Sequence, residues 1–436
     1  MKRALVWFKT DLRLSDNETL VKAIQWADEV IPVFVIDEGQ LNETEFGFPR
    51  MGQFRYKFLL ESLNALHLNL KSKQSGLFLV KGNPEVEIPK IALKYQVQKV
   101  YTKKEIAPEE IETVENVEKE LWKNKILLEQ FSTSVLYHAT DLPFSIKDCP
   151  DVFTVFRKKV EKEAKILEEP SIPEKITSPS IPDGQQLIDL ELQTVDFKLD
   201  PRAVFQYSGG EDEALNRLNF YLFESNGIKK YKETRNGLIG ADYSSKFSPF
   251  LALGCISPRT IYHAIKRYEK ERIANDSTYW LFFELLWRDF FRYVMKKHKS
   301  RLFHLNGFSK SKVYELPTRD RKLFSSWASG NTGNTFIDAN MKELVLTGFM
   351  SNRGRQNAAS YLIHDLNLDW RLGAAYFESQ LIDYDVSSNW GNWAYIAGVG
   401  NDPKNGRKFN IEQQVNYYDK QGDYQKLWLN TIDIHA

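Results

Sequence analysis

The sequence predicts an N-terminal α/β domain (residues 1–131), a long connector (132–207) and an all-α domain (208–436). Three observations predict this arrangement. Strand-like and helix-like runs alternate in the first third, the periodicity fades in the middle, and every strong pattern after Gly209-Gly210 is helical. Alternating strands and helices favour a parallel sheet with helices on both faces. A chain of 436 residues is also long enough for two or three domains.

The order of elements in the first domain predicts a doubly wound, five-stranded parallel sheet. Asp16, and Asn83 followed by Pro84, have the composition of helix starts. Neither a G-x-G-x-x-G after the first strand nor a G-x-x-x-x-G-K-[ST] is present, so an ordinary dinucleotide or nucleoside triphosphate site in the sheet is unsupported. The expected strands are Ala4–Phe8, Val30–Ile36, Leu77–Val80, Lys99–Thr102 and Ile126–Phe131, and the expected helices are Asn17–Ala27, Gly52–Leu68, Pro84–Tyr95 and Pro108–Trp122.

The connector is rich in turn residues, such as Ser178-Pro179 and Asp183-Gly184, with one helix expected at Val152–Glu163. A long irregular segment is unusual inside a compact domain, so we expect it to bridge two domains. The later helices are expected at Glu211–Phe223, Pro249–Leu253, Pro258–Tyr268, Tyr279–Lys297, Lys322–Ala328, Asp338–Leu346, Asn352–Leu366 and Leu372–Leu381.

Two of these helices have a distinctive start. Ser248-Pro249 and Ser257-Pro258 each read as an N-cap serine followed by proline at the first helical position. Gly254 fits the stop between the two helices.

Composition limits the class of protein. The net charge of +1 means that any nucleic-acid site must be a local patch. Two cysteines, Cys149 and Cys255, give no disulfide framework, and the scattered histidines suggest no metal site. The N-terminus turns polar too early for a signal peptide, and no apolar run could span a membrane. We therefore expect a monomeric cytoplasmic protein.

Three patterns in the second domain could carry chemistry. Tyr231 and the loop Tyr243–Ser248 lead into a helix start, where backbone N–H groups, serine hydroxyls and a lysine could hold a phosphate, although such caps are common without a ligand. A nearly apolar helix places four residues on one face, which could wall a cavity or only pair among themselves. They are Glu284, Trp287, Arg288 and Phe291.

The third pattern joins two later segments. Asn352, Arg355, Gln356 and Ala359 share a helix face, and Arg355 is a natural partner for an acid of the segment Leu381–Tyr395. That segment combines four aromatics with polar side chains, which describes either a pocket for a flat, polar ligand or a buried Asp–Arg network. Its polar residues include Asp383, Asp385 and Asn389.

Long segments of the chain, in order, resemble the photolyase/cryptochrome family, and specifically its cryptochrome DASH group. They are Val6-Trp7-Phe8-Lys9-Thr10-Asp11-Leu12-Arg13, Phe247-Ser248-Pro249-Phe250-Leu251-Ala252-Leu253-Gly254, Glu284-Leu285-Leu286-Trp287-Arg288-Asp289, Asn352-Arg353-Gly354-Arg355-Gln356, Asp383-Tyr384-Asp385, Ser388-Asn389-Trp390-Gly391-Asn392-Trp393 and Gly398-Val399-Gly400-Asn401-Asp402-Pro403. Lys9 departs from the pattern, since the family usually has Arg there. The resemblance covers nearly the whole chain.

The resemblance implies that the helical domain binds FAD. The phosphates would be held by Tyr231, Ser244, Ser245, Lys246, Phe247 and Ser248. The flavin and ribose would be surrounded by Arg288, Asn352, Arg355, Asp383, Asp385 and Asn389. Asn389 matches the family position that faces flavin N5. An amide cannot supply a proton there, which suits a fully reduced flavin.

The reaction implied is light-driven splitting of a cyclobutane pyrimidine dimer by an electron from reduced FAD. Catalytic roles would fall to Glu284, Trp287, Asn352, Asn389 and Tyr395, and DNA contacts to Arg235, Glu284, Trp287, Arg353, Gln356 and Arg407. Tyr395 stands where double-strand photolyases carry Trp, and Gln356 where they carry Met, so the preferred substrate would be dimer-containing single-stranded DNA, with RNA as a further partner. Repair of (6-4) lesions is disfavoured, because that branch has His at the positions of Asn352 and Gln356.

Other function classes remain open on the residues alone. A blue-light photoreceptor, or a nucleic-acid-binding regulator without repair activity, would use the same flavin pocket. A long C-terminal extension would favour signalling, and the sequence given ends soon after Trp428. A flavin-free structural homologue is disfavoured by the intact set Arg355, Asp383 and Asn389.

The family resemblance also implies an antenna and an electron relay. A folate, 5,10-methenyltetrahydrofolate, would bind the α/β domain near Glu109 and Glu110, with Glu110 preferred, although acids in a first helical turn also suit the helix dipole. Trp393 and Trp370 match the inner two relay tryptophans, but Pro317 occupies the outer position. We expect the relay to leave by Trp327 or Tyr314, or else to be broken.

Overall fold

The computed structural model describes residues 1–171, 174–195, 197–308, 317, 320–402 and 406–430. Tyr314 therefore lies outside the described residues. The five predicted strands are present as β1 Arg3–Phe8, β2 Glu29–Asp37, β3 Phe78–Gly82, β4 Lys99–Lys103 and β5 Leu127–Phe131. All pair in parallel in the order β3-β2-β1-β4-β5.

The register places Val6 of β1 beside Pro32 of β2 and Tyr101 of β4. The strand order reverses between β1 and β4, and such a reversal opens a crevice at the carboxyl ends of the strands. The predicted doubly wound sheet is thus confirmed.

The α-helices fall into three groups along the chain. Helices flanking the sheet are Glu18–Trp26, Gln53–Ser72, Pro84–Lys94 and Pro108–Lys123. Connector helices are Phe153–Glu163 and Gln185–Thr194. Helices of the second domain are Glu211–Asn219, Tyr231–Thr234, Ser248–Leu253, Pro258–Glu271, Asp276–His298, Arg321–Ala328, Thr335–Thr347, Asn352–His364, Trp370–Gln380, Val386–Ala397, Ile411–Tyr418 and Asp423–Leu429.

Two predicted helix caps are wrong. The first helix is capped by Asn17, whose side chain accepts from Leu20 N at 3.1 Å. Ser248 is the first helical residue rather than the cap, and no side-chain cap bond is present at that helix. The caps at Asn83 and Ser257 and the left-handed Gly254 (φ 69°) are confirmed.

Asp16 has a different role from the one predicted: it ties the two domains together. Its carboxylate accepts from Nη2 of Arg259 at 2.6 Å and from Nε at 3.0 Å, and both side chains are buried. The connector is fixed as well, since buried Asp289 accepts from the backbone of Leu136 and Tyr137 at 2.9 and 3.1 Å. One apolar core, from Phe8 to Trp393, runs through both domains.

The helix Val386–Ala397 was not predicted. It begins at Asp385, whose Oδ1 accepts from Ser388 N at 2.9 Å, and it ends at left-handed Gly398 (φ 75°). This helix carries Asn389 and Tyr395. Within the described chain, no helix combines the length and the apolar character needed to cross a bilayer.

Candidate functional site

A cavity of about 580 Å³ lies within the helical domain. Its walls come from the helices Asp276–His298, Asn352–His364 and Val386–Ala397 and from the loop before Ser248. The three patterns recognised in the sequence therefore meet at one place.

Most of the predicted site residues line this cavity. They are Tyr231, Arg235, Ser244, Ser245, Lys246, Phe247, Ser248, Glu284, Trp287, Arg288, Asn352, Arg353, Arg355, Gln356, Asp383, Tyr395 and Arg407. Sequence reasoning gave no site role to further lining residues, among them Tyr243, Trp280, Phe283, Phe349, Ser388 and Asn392. Ser388 and Asn392 are one turn apart and could have been found once their segment was recognised as a helix.

Asp385 and Asn389 are not among the lining residues. Asp385 accepts from Nη1 of Arg292 at 2.6 Å and faces a second cavity, described below. Burial opposes ionisation of Asp385, but Arg292 and Arg288 hold its pKa below the ordinary value. Asn389 is buried and donates from Nδ2 to the carbonyl of Ala374 at 2.9 Å, which fixes the orientation of its amide.

Arg355 pairs with Asp383, and not with Asp385. Its Nη2 donates to Oδ2 of Asp383 at 2.8 Å, and its Nε donates to the carbonyl of Met350 at 2.8 Å. The second carboxylate oxygen of Asp383, Oδ1, is buried and has no partner within the described chain. A buried acceptor left open at a cavity wall is suited to a ligand N–H or O–H group.

Arg217, which was not identified from the sequence, binds the backbone of the loop before Ser248. Its guanidinium donates to the carbonyls of Ser245 (3.0 Å) and Ser244 (3.2 Å). Lys246 has a left-handed backbone (φ 61°), and its Nζ lies 3.3 Å from the centroid of the Tyr243 ring. Burial lowers the pKa of Lys246 well below its ordinary value, and Nζ has no hydrogen-bond partner among the described residues.

At the other side of the cavity, the predicted substrate residues are already engaged. Glu284 forms an ion pair with Arg235. Burial raises the pKa of Glu284, although Arg235 opposes this shift. One face of the Trp287 ring stacks on Phe153 of the connector, with centroids 3.7 Å apart. Tyr395 lies edge-on to Trp287 at 6.3 Å.

The lining fits a phosphate-bearing, flat cofactor. Five arginine and two acidic side chains line the cavity, and this excess of positive charge favours polyanionic ligands. A phosphate would supply the counter-charge that the buried Nζ of Lys246 lacks, and the unpartnered carboxylate oxygen of Asp383 suits a ring N–H or a hydroxyl. The predicted FAD residues therefore agree with the chemistry of the cavity, with two exceptions. Asp385 caps a helix rather than lining the wall, and the amide of Asn389 is engaged by the carbonyl of Ala374.

A second cavity of about 230 Å³ lies at the carboxyl ends of β1, β2 and β4, between the two domains. Lys9, Lys103, Glu105, Glu109 and Glu110 line it. Burial opposes ionisation of Glu105, but Lys103 and Lys9 lower its pKa to about 2. Burial, together with the charge of Glu105, raises the pKa of Glu110 to about 7. Glu109 is exposed and pairs with Arg50.

The tryptophans form two ring pairs. Trp393 contacts Phe377 (centroids 5.0 Å apart) and Trp327 (6.2 Å). Trp370 contacts Trp390 at 5.8 Å, and within the described chain it is not among the rings in contact with Trp393. The predicted relay order, in which Trp370 follows Trp393, stays a prediction, and Trp327 is the tryptophan in ring contact with Trp393 among the described residues.

Family models for photolyases match both ends of the chain. The DNA photolyase model matches residues 4–177, and the model of the FAD binding domain of DNA photolyase matches residues 280–434. The cryptochrome DASH of Xenopus laevis is 48% identical over 97% of this chain and 81% of that protein.

Solved structures agree. A Synechocystis cryptochrome superposes with a TM-score of 0.92 at 45% identity, over 98% of this chain and 89% of that one. An archaeal photolyase from Sulfolobus tokodaii, solved with two FAD molecules, superposes with a TM-score of 0.79 at 26% identity. The match covers 98% of this chain and 90% of that one. On these similarities, the chain belongs to the cryptochrome DASH group of the photolyase/cryptochrome family of FAD-binding flavoproteins.

Proposed function

We propose that this chain is a photolyase that splits cyclobutane pyrimidine dimers in single-stranded DNA, using blue light and reduced FAD. The observation that carries the proposal is that the predicted substrate residues and the loop Tyr243–Ser248, predicted to hold the phosphates, line the same cavity. When bound, reduced FAD supplies the electron that opens the dimer, and the protein holds and aims the reacting groups.

Each residue has a proposed role. Tyr231, Ser244, Ser245, Lys246, Phe247 and Ser248 hold the phosphates, and Arg355 and Asp383 contact the flavin or ribose. Glu284 hydrogen-bonds a pyrimidine edge. Because burial raises its pKa, its carboxyl group stays protonated to a higher pH than that of an exposed Glu. Trp287 offers its other face to the dimer, since Phe153 covers one. Asn389, whose Nδ2 donates to the carbonyl of Ala374, carries no acidic proton that a reduced flavin could take up.

The preference for single strands follows from the energy of extracting the lesion. A dimer in a duplex must break pairing and stacking to enter a cavity, at a cost of a few kcal/mol, and a single strand avoids most of that cost. Tyr395 and Gln356 stand where double-strand photolyases carry Trp and Met, so this wall has less apolar surface to offset the cost. We take the enzyme to act as a monomer, with RNA as a further ligand.

We expect illuminated protein to repair a dimer in a single strand at least about tenfold faster than the same dimer in a duplex, the ratio for a difference of about 1.4 kcal/mol. Repair is followed by chromatography of the repaired oligonucleotide at subsaturating substrate. Glu284→Ala should lower the rate on both substrates, because every hydrogen bond from this side chain to the pyrimidine edge is lost, whereas glutamine would keep both a donor and an acceptor. Equal repair of both substrates would exclude the preference, and repair of neither would favour a photoreceptor.

A blue-light photoreceptor or nucleic-acid-binding regulator is the second candidate, and one observation favours it. Glu284 is held by Arg235, so the carboxyl group must leave an ion pair before it can reach a pyrimidine. A chain that only binds nucleic acid would keep this pair. Measuring repair in the wild type and in Arg235→Gln separates the two candidates. A repair enzyme is active in the wild type and changes its rate when Glu284 is released, whereas a receptor repairs nothing in either protein.

We further propose that the second cavity holds the antenna pigment, a folate such as 5,10-methenyltetrahydrofolate. The Sulfolobus photolyase, which carries a second FAD, supports a second pigment site in a related fold. Glu110 is the preferred ligand, because it lines the cavity and no described cation pairs with it, whereas Glu109 is held by Arg50.

Glu110→Ala is expected to abolish co-purification of folate, while Glu109→Ala retains it. In the wild type, affinity should rise as the pH increases through about 7, because only the ionised carboxylate of Glu110 is purely a hydrogen-bond acceptor for ring N–H groups. The folate absorbance of the purified variants measures the first effect. Binding titrations between pH 6 and 8, on the order of one unit either side of this pKa, measure the second. Undiminished folate in Glu110→Ala would remove this assignment.

A further inference from the structure

Two adjacent tyrosines lie near the first cavity, at the end of the helix Ile411–Tyr418: Tyr417 is exposed and Tyr418 is half-buried. None of the residues of this helix is buried, and the side chain of Tyr417 is 77% exposed. The rings of Tyr417 and Tyr418 have centroids 6.3 Å apart and an interplanar angle of 57°. A tyrosine this exposed contributes little to the core, and the site described above does not use it.

Arg353 connects this pair to the cavity. It lines the cavity, its guanidinium lies 4.8 Å from the centroid of the Tyr418 ring, and its Nη2 donates to Oδ1 of Asn236 at 3.1 Å. Within the described chain, no carboxylate lies within ion-pair distance of Arg353. Its charge is therefore not neutralised by a neighbouring acid, unlike those of Arg235 and Arg407.

We call Arg353, Tyr417 and Tyr418 the tyrosine shelf. Exposed aromatic rings with an uncompensated arginine form a surface that binds single-stranded nucleic acid, because every base has a face that stacks and every linkage a phosphate. In a duplex the base faces are covered by their neighbours. The shelf therefore favours a single strand, and it adjoins the cavity that would receive the extracted dimer.

We propose that the tyrosine shelf binds the nucleotide next to the dimer, its base stacking on Tyr417 and its phosphate contacting Arg353. This inference rests on the proposed function, since the dimer in the cavity sets the position of the strand. It names a second subsite for the substrate and a source of single-strand affinity that does not depend on the flavin reaction.

The test is dark binding by the FAD-containing protein, measured by titration calorimetry. One ligand is a single strand with nucleotides on both sides of a dimer, and the other is the bare dinucleotide dimer. Tyr417→Ala should weaken binding of the strand by roughly 5- to 150-fold, the range for loss of one stacked base, and leave the bare dimer unchanged. Tyr417→Phe should bind as the wild type does. Trp122→Ala, which removes an aromatic ring that is 69% exposed on the α/β domain, is the matched control.

Each outcome is decisive. An unchanged affinity of Tyr417→Ala for the strand, or an equal loss for both ligands, overturns the proposal. Tyr417→Phe as weak as Tyr417→Ala overturns stacking as the cause. Wild-type protein that does not distinguish the strand from the bare dimer also overturns it. Protein that binds the strand through Tyr417 but repairs nothing under light retains the shelf and contradicts only the repair function.

Discussion

Replacing Asp383 by alanine is expected to yield protein that purifies without flavin. Asp383 holds Arg355 at 2.8 Å, its side chain is 1% exposed, and its second carboxylate oxygen is buried without a hydrogen-bond partner in the described chain. Removing the carboxylate takes away the ligand's acceptor and leaves Arg355 without its counter-charge. We expect the free energy of unfolding to fall by about 1–3 kcal/mol, because Arg355 is left unpaired. The stabilisation that bound flavin gives the folded protein is lost in addition.

The ratio of flavin to protein absorbance and the unfolding free energy of the apoprotein measure the two effects. Asp383→Asn should keep part of the flavin, since an amide oxygen can still accept a hydrogen bond from Arg355. Asp200→Ala is the matched control, because it breaks another buried pair, Asp200–Arg202 (2.6 Å), away from the cavity lining. Loss of flavin in Asp200→Ala as well would show that general destabilisation, not a lost contact, explains the result.

The part of the site that could be predicted from sequence depends on local geometry. Glu284, Trp287, Arg288 and Phe291 were placed on one helix face from their spacing, and all four line the cavity. Helical spacing fixes which side chains share a face whatever the rest of the chain does. The strands were likewise predicted to within one or two residues at each end, because buried parallel strands are short apolar runs.

Partners that are distant in sequence could not be predicted in this way. From the sequence, the partner of Arg355 could be either Asp383 or Asp385. In the structure Asp385 binds Arg292, which lies 93 residues before it, and Arg355 binds Asp383. Spacing carries no information about which of two acids meets which arginine. Arg292 could nevertheless have been suspected, since it lies one turn after Arg288 on a mostly apolar helix.

The helix Val386–Ala397 was missed for a different reason. Its sequence contains Ser, Asn, Gly and Trp, which have modest or poor helix propensity. The helix is stabilised by tertiary contacts instead. Trp393 is 2% exposed, and Gly391 packs so closely on Phe291 that an added Cβ would come within 2.4 Å of the ring. Packing of this kind overrides propensity and is not visible in a single sequence.

The ring contacts bear on how the flavin is reduced by light. The family relay would need an aromatic side chain at position 317, where this chain has proline. Trp393 instead contacts Trp327, which is itself fully buried. The ring of Tyr376 lies 5.8 Å from Trp327 and is only partly buried, so it continues the path toward solvent. We therefore propose that Trp393, Trp327 and Tyr376 form the relay. Trp327 is one of the two exits predicted from the sequence.

Photoreduction of bound FAD, measured with a thiol reductant present, is expected to slow at least about tenfold in Trp393→Phe and in Trp327→Phe, equivalent to about 1.4 kcal/mol in the barrier. Phenylalanine preserves packing but is far harder to oxidise. Tyr376→Phe should slow the last step, because only the phenol can lose its proton when oxidised; its hydroxyl donates to the carbonyl of Ala328 at 3.0 Å. Trp390→Phe is the matched control, since Trp390 contacts Trp370 rather than Trp393. If Trp327→Phe photoreduces normally and Trp370→Phe does not, the relay runs through the Trp370–Trp390 pair instead. If the wild type does not photoreduce at all, Pro317 has broken the relay.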